Sequence, residues 1–552
     1  MLVSAVRSLF SLLISESLRV GFVASYAQHA EYRPLQAACA YIMDERAETA
    51  VTPVSQSETR RRKGSKHDKT GCLTCRYRRK KCVENTIPVC GTCARLNLKC
   101  VRPSARDVVP TSWVDQKQAT KHVQQLRTAD NRNDTSTTTI TAIFPFNLPT
   151  LTGDHAEPPQ KRQVMRYYIT VLCHYLTASE QFNSFLSAFL PMAMESTVLY
   201  DALVALASGH LSLLNESYRL SALEAHSTAI TNLATALGAP QNQITWYETK
   251  AAACLAFVIG EVCVGDDSGW STHLSGAKLL IRSAEVVTTS GVVLRGPEVF
   301  KRSSEGQWIL RNFAYHDIVG SITLRRRPLL DCTYLDGITD VVDTYLGVAT
   351  DLLRHVATLS SLDEETRLGP DLTVDEIVER KSTFHTTCVK VEQELQVWQC
   401  RVDASPELAA LAHAFRSAVL IVLYRLIRNR LTCEGHDEEE THVATGWDIL
   451  PTKIRTHVSN ILRHVSGIPI GSHSESAILF PLFLAGGEAT EDKHMDEVRI
   501  RLKMTLQKRR FLNIARSLEI LEELWQRRKT PDGVRLDWTD ILDETREHLL
   551  LT

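Results

Sequence analysis

The chain carries none of the common catalytic fingerprints. G-x-S-x-G, the phosphate-binding P-loop, H-E-x-x-H and the glycine pattern of dinucleotide-binding folds are all absent. We therefore expect no enzyme; a catalytic C-terminal region with a metal-stabilised appendage is a remote rival. Period-two strand patterns are scarce, which disfavours a sheet protein. The apolar run "AAACLAFVIGEVCV" (251–264) is too short to span a bilayer and is interrupted by Glu261, so it reads as a buried core helix and no membrane is expected as a partner. A paired-cysteine framework is missing too. Cys39, Cys173, Cys254, Cys263, Cys332, Cys388, Cys400 and Cys433 are scattered, as reduced intracellular thiols are.

Acidic residues are nearly missing between positions 60 and 100, where only Asp68 and Glu84 stand against thirteen Lys and Arg. That segment carries plus 11, the whole chain minus 1, and so the remainder minus 12. Such segregation marks the segment as the part that meets a polyanion, and nucleic acid is the obvious one. The same segment holds six of the fourteen cysteines: Cys72, Cys75, Cys82, Cys90, Cys93 and Cys100. They are spaced C-x2-C-x6-C-x7-C-x2-C-x6-C, one half-site repeated. A C-x2-C pair aims two sulfurs at one point, and the third cysteine returns to it. Six thiolates are two too few for two separate four-thiolate zinc sites and two too many for one, a count that fits if two of them bridge. Core filling, disulfides or a redox C-x-x-C would not produce the repeat.

"GCLTCRYRRKKC" followed by "IPVCGTCARLNLKC" resembles the fungal zinc binuclear cluster DNA-binding domain. The resemblance implies two zinc ions. Cys72 and Cys90 would bridge them, Cys75 and Cys82 completing one tetrahedron, Cys93 and Cys100 the other. It also implies that Arg78 and Arg79, the third and fourth positions after the second cysteine, reach the bases of a CGG-type triplet. Arginine and lysine donate to guanine O6 and N7 in the major groove. Arg76, Lys80 and Lys81 would hold phosphates, which fix register without reading sequence. Lys80 stands where the family often has an apolar residue. Arg60, Arg61, Arg62 and Lys63 read as a nuclear import signal or as a phosphate-contacting arm. A core of about forty residues rarely stabilises itself, so folding should depend on the metal.

The sequence divides into four parts. Residues 1–59 are an N-terminal extension, expected to be disordered or partly a gene-model artefact, with translation starting at Met43. Residues 60–103 are the zinc cluster, with two short helices. Residues 104–160 are a disordered linker rich in Thr, Asn and Pro; Val114, Ala119, Val123 and Leu126 do not sustain three heptads there, so no coiled coil is supported. Residues 161–552 show apolar spacings of three and four and form a large all-α domain.

Four stretches of that domain resemble the fungal-specific transcription factor domain. They are "FLPMAMESTVLYDALVALASGHLS", "WSTHLSGAKLLI" (Trp270, His273, Gly276, Ala277), "FAYHDIVGSITLRRRP" (Tyr315, His316, Asp317, Pro328) and "ILFPLFLAGGEA". Their histidines read as hydrogen-bonded core residues rather than catalysts. The acidic stretch 433–447 reads as a solvent loop, and "LDWTDILDETREHLLL" as a closing amphipathic helix in preference to an activation segment.

Together these features point to a nuclear, sequence-specific DNA-binding regulator of RNA polymerase II genes in a metabolic or secondary-metabolite pathway. Its expected partners are double-stranded DNA and the transcription machinery, with a homodimer through the helical domain and a small-molecule effector left open. The alternative is a zinc-folded interaction co-regulator that binds DNA only non-specifically.

Overall fold

The computed structural model describes residues 159–552, apart from 239–242, 266–268, 289–290, 368–373, 434–448 and 531–535. The extension, the zinc segment with its six cysteines and basic residues, the linker up to 158 and all but the first residue of the acidic stretch 433–447 lie outside the described residues.

Where the sequence spacing is helical, so is the chain. Short helical segments over 159–195 include π-turns at Tyr168–Leu172 and Phe185–Phe189. The longer helices of the first half are α1 (Thr197–Leu214), α2 (Arg219–Leu237), α3 (Ile244–Val264), α4 (Gly269–Ser283) and α5 (Ser304–Thr323). In the second half come α6 (Leu353–Arg367), α7 (Val374–Val397), α8 (Pro406–Cys433), α9 (Leu450–Ser466), α10 (Leu479–Glu488), α11 (Asp492–Arg509), α12 (Leu512–Arg527) and α13 (Trp538–Thr545). Among the described residues the one sheet is a small antiparallel hairpin, β1 (Glu285–Val287) with β2 (Val293–Arg295), in which Val286 faces Leu294.

Local chemistry sets the ends. Ser303 caps α5 by accepting from the Gly306 amide at 2.9 Å. Gly265, at φ +77°, closes α3 in the left-handed region, and a Cβ there would come within 2.8 Å of Leu512. Asp537 and Asp540 form a capping box at the start of α13.

Two helices organise the packing. α3 is covered by α1, α4, α5 and α12, and nearly every one of its side chains from Tyr247 onward is buried. Its apolar run is therefore a core helix. α8 is covered in the same way by α6, α7, α9 and α10. α1 and α8 are each long and apolar enough to cross a bilayer, but most of each such stretch is buried inside the bundle. Aromatic contacts fix the first half: Trp308 meets Phe189 at 4.2 Å and Phe185 at 5.3 Å between ring centroids, both edge-on.

The closing stretch departs in part from expectation. Its helix ends at Thr545, because Arg546 turns into the left-handed region at φ +55°. Beyond that turn the chain runs on as a buried strap. Leu549, Leu550 and Leu551 lie in the core. Trp270 Nε1 donates to the His548 carbonyl at 2.8 Å, Thr323 Oγ1 to that of Leu549 at 2.6 Å, and Asn513 Nδ2 to that of Leu550 at 3.3 Å. An extended segment can be buried only with its carbonyls satisfied, and α4, α5 and α12 supply the donors.

Candidate functional site

The candidate metal and DNA residues, Cys72 to Cys100 and Arg60 to Lys81, lie outside the described residues. The helical domain still bears on them through what its own side chains do. Its buried cysteines are held as neutral thiols. Burial pushes Cys173, Cys254 and Cys388 up to about 12. A thiol so disfavoured as thiolate is a poor metal ligand. Among the described residues no three His, Cys, Asp or Glu side chains converge on a metal geometry. The six clustered cysteines, in a segment of plus 11, are the opposite case. Surrounding cations favour thiolates, and the six-sulfur set suits two zinc ions sharing ligands.

The histidines of the quoted motifs are each tied into the core. His273 Nε2 lies 2.9 Å from Glu261 Oε1, and its ring stacks on Phe257 at 5.0 Å. Both side chains are buried. His316 faces Thr552 Oγ1 at 2.9 Å and Tyr345 Oη at 3.4 Å, and burial pushes it down to about 3. Neighbouring Asp317 turns elsewhere. It accepts from both Arg326 Nη atoms at 3.1 Å and from the Leu329 amide at 2.7 Å, pinning the loop that carries Pro328. Burial raises Asp317 to about 6 in spite of Arg326. The motif's base and carboxylate thus hold different parts of the fold and do not pair with each other.

Charged clusters that sequence reading missed bind the second half together. Arg425 on α8 reaches Glu488 at the end of α10 and Asp537 at the α13 cap, the latter at 2.8 Å. Arg428 adds bonds to Glu488 at 2.7 and 3.0 Å. The Arg425 guanidinium lies 4.8 Å from the Trp538 ring centroid. Burial works against charge at Asp537, yet Arg425 holds it well below the usual carboxylate range. Glu475, fully buried, takes Arg509 and Arg501 at 3.5 and 3.2 Å. The available signal was a single charge inside an apolar run, as with Glu488 in "ILFPLFLAGGEA".

Comparisons with known proteins cover nearly the whole chain. The model of the fungal specific transcription factor domain matches residues 163–552. That of the fungal Zn(2)-Cys(6) binuclear cluster domain matches residues 70–107. Transcriptional activator protein UGA3 of Saccharomyces cerevisiae is 22% identical over 542 residues, covering 87% of this chain and 97% of the relative. No solved structure matches the chain.

Proposed function

The chain belongs to the fungal zinc cluster transcription factors, DNA-binding regulators that hold two zinc ions, and from that premise we propose how its own residues divide the work. Cys72 and Cys90 bridge the two metals; Cys75 and Cys82 complete one site, Cys93 and Cys100 the other. Bound zinc supplies fixed tetrahedral vertices that fold a segment too small to hold itself. Arg78 and Arg79 read a CGG-like triplet from the major groove. Arg76, Lys80 and Lys81 grip phosphates, and Arg60, Arg61, Arg62 and Lys63 serve nuclear import or the phosphate backbone.

The observation that carries this reading is the placement of five basic residues between the second and third cysteines of a repeated half-site that otherwise holds only Arg95 and Lys99. It makes the first half the reader and the second half the brace. The domain boundaries we propose are 60–103 for the cluster, 104–160 for the linker and 161–552 for the regulatory domain. That domain is where a small effector and a second copy would bind. The protein acts in the nucleus on RNA polymerase II genes of a metabolic or secondary-metabolite pathway, and the relative's name makes activation the working direction.

The test is selection from a randomised duplex pool with the zinc-loaded full chain at near-physiological salt. Enrichment of a CGG-like triplet is expected, and one copy or two reports monomer or dimer. Salt-sensitive retention of every sequence without enrichment would favour the non-specific co-regulator instead.

A further inference from the structure

Residues outside the zinc segment sum to minus 12, yet one corner of the helical domain gathers two arginines and two histidines. The rings of His413 on α8 and His464 on α9 stack with centroids 5.1 Å apart and planes within 23°. Arg463 Nη2 lies 3.2 Å from His464 Nε2, its other bond going to Asn460 Oδ1 at 3.1 Å. Arg416, one turn beyond His413, donates to the carbonyls of Leu395 and Gln396 at the end of α7, at 2.6 and 3.4 Å. Trp398 stands edge-on to His413 at 5.8 Å.

Neither arginine has a carboxylate partner among the described residues. Other arginines of the domain do, Arg311 with Asp343, Arg425 with Glu488 and Arg516 with Glu547, while half-buried Arg528, like Arg416, donates to carbonyls, those of Leu536 and Gly487. Carboxylates on adjoining elements are occupied. Glu392 takes Lys453 and the Tyr424 hydroxyl, both at 2.7 Å, and Asp351 takes Trp398 Nε1 at 2.7 Å. Burial, then Arg463, His413 and Arg416, push His464 down to about 4. Burial, then Arg416 and Arg463, lower His413, and His457 is pushed down to about 4 by burial and Arg416, with Glu392 opposing. Arg463 is exposed and the two rings are half-exposed, so the corner is open to solvent.

We infer that this corner between α8 and α9 is a binding site for a compact oxyanion carrying two or more charges, a phosphate monoester or a small polycarboxylate. Two guanidiniums carry the charge and the N–H donors that such oxygens need, while His464 Nε2 accepts from Arg463 until a bound anion favours its protonation. The anion supplies the negative charge that the fold does not. The site names a ligand class for the effector role proposed above and rests on that reading only for its regulatory meaning.

The zinc segment also attracts anions, so the test compares variants of the full chain. Phosphate and citrate are titrated calorimetrically into the zinc-loaded wild type, into Arg463→Gln and into a double variant, His413→Gln with His464→Gln. Sodium chloride at matched ionic strength is the control. The expected result is a saturable component, absent with chloride, whose affinity falls about tenfold in Arg463→Gln, the scale of one charge-assisted hydrogen bond. It tightens from pH 7.5 to 6 in the wild type but not in the double variant, because a bound anion favours the imidazolium. Histidine C2 deuterium exchange on peptides spanning 413 and 464 should show both titration midpoints rising with the anion. A response to phosphate alone assigns a phosphate monoester, and a response to citrate alone a polycarboxylate. Equal binding in all three proteins, or midpoints that do not move, would overturn the site. DNA retention of Arg463→Gln, measured in parallel, should equal the wild type, so loss of the DNA reading and loss of the anion site are separate results.

Discussion

As proposed, Arg78 and Arg79, the third and fourth residues after the second cysteine, take the bases, and Arg61 the phosphate backbone. Replacing Arg78 or Arg79 with Ala should cost about 1–3 kcal/mol on the selected site and relax base preference. Arg61→Ala should weaken all duplexes alike and lower the salt slope by about 1. Equal losses on specific and random DNA for all three would defeat that division. In the helical domain the decisive residues are lone charges in apolar surroundings. Glu488→Ala leaves Arg425 and Arg428 sharing only Asp537, and the Arg425 side chain is 7% exposed. The expected loss is about 3 kcal/mol, read by chemical denaturation, since an uncompensated buried charge is the main penalty. A lone Glu or Arg in an apolar run tells a reader that it must be paired. It does not tell with what: Arg425 finds Glu488 63 residues away and Asp537 112 away. The stacked His413–His464 corner had no sequence signal at all, because its members lie three apart on one helix and adjacent on another.

Elements were more legible than contacts. Apolar spacing placed α1, α3 and α12 without help, since a stripe that must be buried repeats with the helical turn. The closing helix was shorter than its pattern, because "HLLL" after Arg546 is apolar on every side and suits a strap in a groove as well as a helix face. The hairpin at Glu285–Arg295 had only three residues per strand in which to show alternation. The cluster segment was legible for another reason: ligand spacing is dictated by the metal and not by a tertiary fold. Its stability should follow the metal just as closely. A strong chelator, or Cys90→Ser at a position proposed to bridge, should abolish DNA retention while leaving the helical circular dichroism intact, because structural zinc supplies about 10–16 kcal/mol in comparable peptides. Retention that survives zinc removal would refute the cluster.

Across the described domain the buried and half-buried histidines set the response to acid. Burial, first among the causes each time, pushes His210, His226, His457 and His464 down to about 4 and His316 to about 3. Unfolded, they titrate near 6.5. Between pH 6.5 and 4 the unfolded chain binds more protons, so stability falls as pH drops through that window. For fully buried His210 the effect is on the order of 3 kcal/mol. Asp317 and Glu519, raised by burial to about 6 and 7, act in the opposite sense: their contribution is present at low pH and is lost as pH rises. Five histidines outweigh two carboxyls, and the melting temperature should drop between pH 7 and pH 5; a flat profile would contradict this. The strap at Leu549–Leu551 has a consequence in time. Trp270 on α4 waits for the carbonyl of His548, which is made 278 residues later. At about 5–20 residues per second on a ribosome, that interval is on the order of tens of seconds. Until then the groove of the newborn bundle lies open, a standing invitation to chaperones and proteases.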